Sequence, residues 1–549
     1  MPGVGTLWRT VRHLKARQLL GRVVFRLGRP RADLKVAPAQ RQLASGWVLP
    51  ARRAASLVGA ERWRLLNHEG DLADLGWDKP DVPKLWRYNQ HYFDDLNALD
   101  APLRHAWHAG LMARWVAENP PPQGTGWEPY PTSLRIVNWV KWWRAGMPAT
   151  PVALHSLAVQ ARWLRRRLEW HLLGNHLFAN AKALVFAGLY FSGGEADEWL
   201  ACGLRILAKE LPEQVLDDGG HFERSPMYHA LALEDVLDLM NIARLAGDSD
   251  AKVADLVRAC GQLAPKMLHW LRSMSHPDGG IAFFNDAAFG IAPDAVELER
   301  YAATLGVKHD APAQDGTTLL APSGYVRASR GPMVALLDAA PVGPDYLPGH
   351  AHADTLSFEL SVHGQRVVVN GGTSRYGLGP ERLRERGTAA HSTVTVANAD
   401  SSEMWSGFRV GRRARPFDLK VSADEVEAAH DGYTWLPGRP VHRRMWRFED
   451  EALEVDDRVE GGDHPAAAHF HLAPGIALQP AGPGCWHLIR AGAAIGQVFA
   501  VHGLAQVCPS QYASAFGEVV PTQMLAVHLV EGRATTRWSW SIGAHTFLD

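Results

Sequence analysis

Three stretches in the first 290 residues, and three beyond residue 348, bring side chains capable of acid–base work close together in the chain. Gly174-Asn175-His176 opens an apolar helical run. An amide and an imidazole at a helix start, where free N–H groups and the dipole favour an anion, suit the carboxylate of a sugar acid. Asn is also a good N-cap, so a purely capping role for Asn175 is open. Asp217-Asp218-Gly219-Gly220-His221-Phe222-Glu223-Arg224-Ser225-Pro226-Met227-Tyr228-His229 reads as a polar glycine-rich loop entering a helix. Tyr228 can give or take a proton there if Arg224 and the neighbouring histidines lower its pKa from ~10, or it can simply be buried at the helix start. Phe284-Asn285-Asp286, after the turn Pro277-Asp278-Gly279-Gly280, is a weaker third cluster.

The second half contributes Gly349-His350-Ala351-His352-Ala353-Asp354, then Asn370-Gly371-Gly372, then Ala390-His391-Ser392. Alternate residues of a strand share a side, so His350, His352 and Asp354 are placed to converge. Separated histidines with a carboxylate or amide oxygen are suitable zinc chemistry, although paired histidines often only hydrogen-bond. There is no HExxH, Walker loop, Rossmann fingerprint, nucleophile elbow or CxxC pair. Cys202, Cys260, Cys485 and Cys508 are too scattered to signal a disulfide framework.

The elements that must position these groups fall into two regimes. From about Pro102 to Leu305 the apolar residues recur at helical spacing, in LRHAWHAGLMARWVAEN, SLRIVNWVKWWRAG, VALHSLAVQARWLRRRLEWHLL, NHLFANAKALVFAGLYF, EWLACGLRILAKEL and YHALALEDVLDLMNIARLAG. Short Gly, Pro and Asp breaks separate them, which predicts antiparallel helical hairpins. From about Gly324 the period becomes two, with hairpin signals at His363-Gly364 and Glu531-Gly532. Helices followed by strands predict a multidomain α-then-β chain: a lead segment over 1–100, a helical domain over 101–315 and an antiparallel β domain over 316–549.

Lys and Arg total 57 against 58 Asp and Glu, so there is no global field to attract nucleic acid. The chain carries 21 Trp, 15 of them before residue 308, an excess that fits equally core packing or a cleft that stacks on apolar sugar faces. The start, MPGVGTLWRTVRHLKARQLLGRVVFRLGRPRADLK, is basic and amphipathic without an uninterrupted apolar stretch, so it does not read as a secretory signal and a cytoplasmic location is expected unless another route operates. No apolar run reaches the ~18 residues of a transmembrane segment. A helix packing its apolar face on its own domain is the expectation for this basic lead, with contact to a membrane surface as the alternative.

Taken in order, GNHLFANAKAL, DDGGHFERSPMYH, FNDAAFG, GHAHADTLSFELSVHGQRVVVNGGTSRYG and RGTAAHSTVTV resemble the heparinase II/III family of polysaccharide lyases. YNQHYFDDL and GTGWEPYPTSLRIVNWVKWW upstream are similar to its bacterial members. The resemblance implies an incomplete (α/α) toroid followed by an antiparallel β-sandwich, and β-elimination at a uronic acid in an anionic polysaccharide, either glycosaminoglycan-like or a bacterial exopolysaccharide. It implies that Asn175 binds the uronate carboxylate, that Tyr228 moves a proton, and that His176 and His350 support catalysis. His352 and His391 match structural zinc ligands at the domain junction, and Asn370 stands where the family has Asp, a poorer ligand. Trp127, Arg135, Glu223, Arg224 and Arg375 are the candidate substrate contacts, with Arg114 a further cation near the motifs. Two rival readings are a glycoside hydrolase using carboxylates among Asp218, Glu223 and Asp286, and a non-catalytic polysaccharide-binding or biosynthetic protein. Exposed strands near the C-terminal end leave a homodimer open.

Overall fold

The computed structural model describes residues 3–308, 310 and 315–540. The chain begins with two helices, α1 (Val4–Val11) and α2 (Ala16–Leu27), and then a three-stranded antiparallel sheet, Leu57–Gly59, Arg62–Leu65 and His68–Asp71. The helical region follows: α3 (Lys84–Tyr92), α4 (His105–Glu118), α5 (Pro129–Arg144), α6 (Pro151–Arg166), α7 (Gly174–Tyr190), α8 (Gly194–Gln214), α9 (Pro226–Ala243), α10 (Ala251–Ser273) and α11 (Ala295–Thr304). Proline at the first helical position starts α5, α6 and α9, where its missing N–H costs nothing. Side chains of Thr150, Ser225, Asp250 and Asp294 cap α6, α9, α10 and α11.

Most tryptophans of this half pack the interior. Trp115, Trp139 and Trp270 are fully buried, and Trp63, Trp77, Trp86, Trp127, Trp142, Trp143, Trp163 and Trp199 are also buried. The aromatic excess is therefore mainly core, where large ring area supplies much of the burial energy.

The β region begins at Gly316 and forms a nine-stranded and an eight-stranded sheet, paired antiparallel throughout. Phe358, Val368, Phe470 and Leu525 of one sheet share a buried cluster with Trp446, Val455, Val498 and Trp538 of the other. His363-Gly364 has φ of 50° and 77°, and Glu531-Gly532 has 50° and 74°, the doubly left-handed pattern of a tight hairpin. The helical domain followed by a β-sandwich is the expected fold class. Met227, Tyr228, Phe283 and Ala287 of the helical half belong to the sandwich cluster, so the two domains share core at their junction. Gly349–Asp354 is not a strand but an irregular loop in that junction.

Candidate active site

Ser225 caps α9 by accepting the Tyr228 N–H (3.1 Å), and its hydroxyl donates to the Asp286 carbonyl. That places Tyr228 in the first helical turn, its ring stacked on His350 with centroids 3.8 Å apart. The phenol shares a 2.9 Å hydrogen bond with Tyr376 Oη. Burial, with Tyr376 and Asp286 nearby, raises the Tyr228 pKa well above 10. The expected lowering by Arg224 does not occur: Arg224 has φ of 60°, and its Nε donates to the Ser323 carbonyl (3.0 Å). Tyr228 is thus a neutral phenol, a proton donor in its resting form.

Asp286 organises the histidines. Its carboxylate takes both terminal nitrogens of Arg382, His350 Nδ1 (2.9 Å) and His352 Nε2 (2.9 Å), with Thr373 Oγ1 at 3.3 Å. Burial alone would raise its pKa, but the Arg382 charge and the two imidazoles hold it well below the usual carboxylate range. With Nδ1 engaged, His350 presents Nε2 to the cleft, 3.6 Å from Glu223 Oε2. Glu223 is buried beside His350 and the Asn175 backbone N–H, and its carboxylate accepts no side-chain hydrogen bond among the described residues. Burial raises its pKa against the pull of His350 and His176.

Helix α7 supplies the other side. Leu173 and Gly174 both take left-handed φ, 65° and 53°, turning the chain sharply into the helix. A Cβ on Gly174 would lie 2.2 Å from Leu347 Cδ2 and 3.2 Å from Glu223 Oε1, so a larger residue would displace the Leu347 side chain and strain the positive φ. Leu173, not Asn175, holds the cap position, and the half-buried Asn175 amide makes no hydrogen bond among the described residues. The capping role is thereby set aside, and the amide is free for a substrate. His176 Nδ1 lies 3.1 Å from Glu169 Oε1, and its ring lies 4.6 Å from that of Tyr130. Asn180, one turn on, clamps Glu169 through its carboxyl oxygen (3.0 Å) and its backbone N–H (2.9 Å). Burial opposes charging His176, but Glu169, with Glu223 and Glu128 beyond, outweighs it and raises the pKa.

Asn175, His176, Tyr228, His350 and Glu223 therefore lie together, linked through Glu223 and His350. Several other candidates do not join them. Trp127 is buried against Trp115 with its indole N–H on the Asn119 carbonyl, and Arg135 is fully buried over Trp115, bonded to Gln160 Oε1 and to the carbonyls of His91 and Gly126. Both are core residues and cannot touch a substrate. Arg224 is turned away as described, and Arg114 pairs with Glu61 and Glu118. Only Arg375 among these cations is exposed beside the site, next to Tyr376 and 3.7 Å from Glu381. Asp354, expected to converge with the histidines, instead accepts the Asn285 N–H (2.8 Å).

The zinc expectation meets a donor set that falls short. His352 Nδ1 and His391 Nε2 are 3.2 Å apart, close to the ~3.3 Å between two ligands of a tetrahedral zinc. The third position fails: Asn370 Oδ1 accepts the Ser392 N–H (3.0 Å), and its Nδ2 donates to Ser357 Oγ (3.3 Å). Asp286, the carboxylate on His352, is saturated by Arg382. Among the described residues no group of three His, Cys, Asp or Glu is arranged to hold a metal.

Tyr376, Arg382, Glu169 and Tyr130 were not among the expected site residues. Tyr376 lies within the NGGTSRYG motif, which offered a signal, whereas nothing local marks Glu169 or Arg382.

Residues 98–302 match the family model described as heparinase II/III N-terminus, and residues 314–541 match heparinase II/III-like, C-terminal. A heparin-sulfate lyase of Bacteroides stercoris is 25% identical over 322 residues, covering 55% of this chain and 46% of that protein. FtsZ-localized protein C of Caulobacter vibrioides is 28% identical over 364 residues, covering 61% of this chain and 60% of the relative. This chain thus aligns with about half the length of these curated relatives. The crystal structure of a heparinase III superposes with a TM-score of 0.64 at 18% identity, over 84% of this chain and 78% of that one, a likeness of fold.

Proposed function

The chain belongs to the heparinase II/III-like family, and from that premise we propose that it is a polysaccharide lyase cleaving a uronic-acid-containing, glycosaminoglycan-like polysaccharide by β-elimination. The observation that carries this reading is the Tyr228 phenol stacked on an Asp286-held His350, with Asn175 and a Glu169-paired His176 beside the same Glu223. The hydrolase reading lacks its pair of carboxylates: Asp218 is bound to Ser323 (Oγ, 2.7 Å), Asp286 is saturated, and Glu223 stands alone.

In the proposed reaction the uronate carboxylate lies against the Asn175 amide and the His176 imidazolium, which stabilise the charge that develops as C5 loses its proton. His350 Nε2 takes that proton, while Asp286 accepts from Nδ1–H and stabilises the resulting imidazolium. The C5–H electron pair becomes the C4–C5 double bond, the C4–O bond breaks, and Tyr228 donates its phenolic proton to the leaving oxygen. Return of a proton to Tyr228, through Tyr376 or water, resets the pair.

The cleft also favours a sparsely sulfated polymer. Sulfate recognition uses clusters of Arg and Lys, and of four candidate arginines only Arg375, paired with Glu381, is exposed at the rim, while Glu128, Glu169 and Glu223 lie around His176 and His350. The test is ultraviolet absorbance of the unsaturated uronate product during incubation with unsulfated and sulfated uronate polymers. Absorbance rising fastest on a sparsely sulfated polymer supports the proposal. New reducing ends without absorbance would make the protein a hydrolase, and binding without either product would make it a binding protein.

A further inference from the structure

The two helices that open the chain turn their polar faces inward and their apolar faces outward. In α2 the inward residues are Gln18, Gly21 and Phe25. Gln18 Nε2 donates to the Tyr346 carbonyl (3.2 Å), Gly21 abuts the backbone of Trp170 and His171, and Phe25 lies 4.2 Å from the His171 ring. The opposite face is Leu19, Leu20, Val23, Val24 and Leu27, all exposed, Leu20 at 67% and Leu27 at 75%. Helix α1 repeats the pattern. Thr6 and Arg9 bond Glu403, and Thr10 bonds the Val410 carbonyl and the Trp405 indole, while Val4, Leu7, Trp8 and Val11 point out, Trp8 at 65% exposure. Single exposed apolar residues are ordinary on a protein surface, but nine on two adjacent helices are not. The expectation that the apolar side packs on the chain's own domain is reversed.

Charge settles which occupant this face fits. Arg22, Arg26, Arg29 and Arg31 lie on or just beyond α2, and none forms an ion pair with a carboxylate among the described residues, whereas Arg9, Lys15 and Arg17 on the inward side are all paired. We propose that α1 and α2 form a docking face for an anionic lipid surface, their aliphatic side chains entering the headgroup boundary and the unpaired arginines meeting lipid phosphates. The face is tied to the cleft. Helix α2 rests on the 170–172 loop that runs into Asn175 and His176, and on Tyr346 in the loop that runs into His350. Docking therefore fixes the cleft close to the membrane surface.

The test is cosedimentation of the whole chain with vesicles of phosphatidylglycerol mixed with phosphatidylcholine, and of phosphatidylcholine alone, at low and high salt. The protein is expected to pellet with the anionic vesicles, at low salt only. At about fivefold per arginine, the double change Arg26→Gln and Arg29→Gln should weaken binding about 25-fold. Leu20→Glu with Val24→Glu should abolish it, with circular dichroism unchanged. Should the glutamate pair unfold the chain, the arginine pair alone decides. No pelleting of the unaltered protein at low salt, or binding indifferent to the arginine pair, overturns the proposal. A dimer in sedimentation velocity that the glutamate pair dissociates, without vesicle binding, would assign the face to a second copy of the chain instead.

Discussion

Replacing Tyr228 by Phe tests the centre of the mechanism, because the structure separates what this change does to folding from what it does to chemistry. The ring stays stacked on His350 at 3.8 Å and its volume is almost kept, so no cavity opens. The loss is one neutral hydrogen bond to Tyr376, 2.9 Å long and worth about 1 kcal/mol, which in a chain of this size moves Tm by about 2 °C or less. The chemical loss is larger. A positioned proton donor contributes about 10²–10⁴-fold, or ~2.7–5.4 kcal/mol of barrier. Tyr376→Phe removes the same hydrogen bond from the other side and leaves the Tyr228 proton in place, so it should cost a similar Tm shift and less than about tenfold in rate. Initial rates of unsaturated-uronate absorbance, beside thermal melts of both variants, make the comparison. A folded Tyr228→Phe protein within about tenfold of the unaltered rate, or a Tyr376→Phe protein that falls equally far, would refute the assignment of Tyr228 as the acid.

Three further outcomes follow from the site. His176 has a raised pKa in the folded state, so its pairing with Glu169 stabilises the protein below the unfolded histidine value and is lost as pH rises through the folded one; Glu169→Gln should move the alkaline limb of the rate profile to lower pH, and an unmoved limb would detach His176 from the chemistry. Arg135→Ala removes four hydrogen bonds from the core and should destabilise by ~3–5 kcal/mol without changing KM in the folded fraction, whereas Arg375→Ala should raise KM with the melt unchanged; the reverse pattern, read from kinetics and denaturant titration, would return Arg135 to the substrate. Asn370→Asp supplies the carboxylate that the His352–His391 pair lacks, so zinc should raise Tm of that variant and leave the unaltered protein where it is; a zinc-dependent melt of the unaltered protein would show that its own donors suffice.

The two-domain order was legible because periodicity is a local signal: α5 to α9 and the hairpins at His363-Gly364 and Glu531-Gly532 lie where the spacing of apolar and turn residues puts them. The small sheet over 57–71 was missed because its strands are three or four residues long, too short for alternation to register. Gly349–Asp354 reads as alternating, yet Asp286 pulls both of its histidines to one point and the segment stays a loop. In α1 and α2 the helical period was visible, but a period states only that two faces differ. Which face turns inward depended on Glu403 and Trp405, nearly 400 residues distant, and on His171, 146 residues beyond Phe25.

The same distinction separates the site residues that could be read from those that could not. Asn175, His176 and Tyr228 each sit in a motif whose neighbours set their local geometry, the left-handed Leu173-Gly174 turn and the Ser225 cap. What makes those residues reactive is supplied from elsewhere. Asp286 holds the tautomer of His350 across 64 residues, Arg382 holds Asp286 ionised across 96, and Tyr376 orients Tyr228 across 148. Asp286 lies in the helical half, before α11, and Tyr376 and Arg382 lie in the β region, so the His350 tautomer that the proposed reaction uses depends on the docking of the two domains. In the proposed reaction the shared core at Met227, Tyr228, Phe283 and Ala287 then supports the chemistry, because a small rotation between the domains would break the Asp286–Arg382 pair and release His350 together. That explains why a guanidinium and a carboxylate are buried at the junction at a desolvation cost that an apolar pair would avoid: their bond ties the geometry of His350 to the docking of the whole fold.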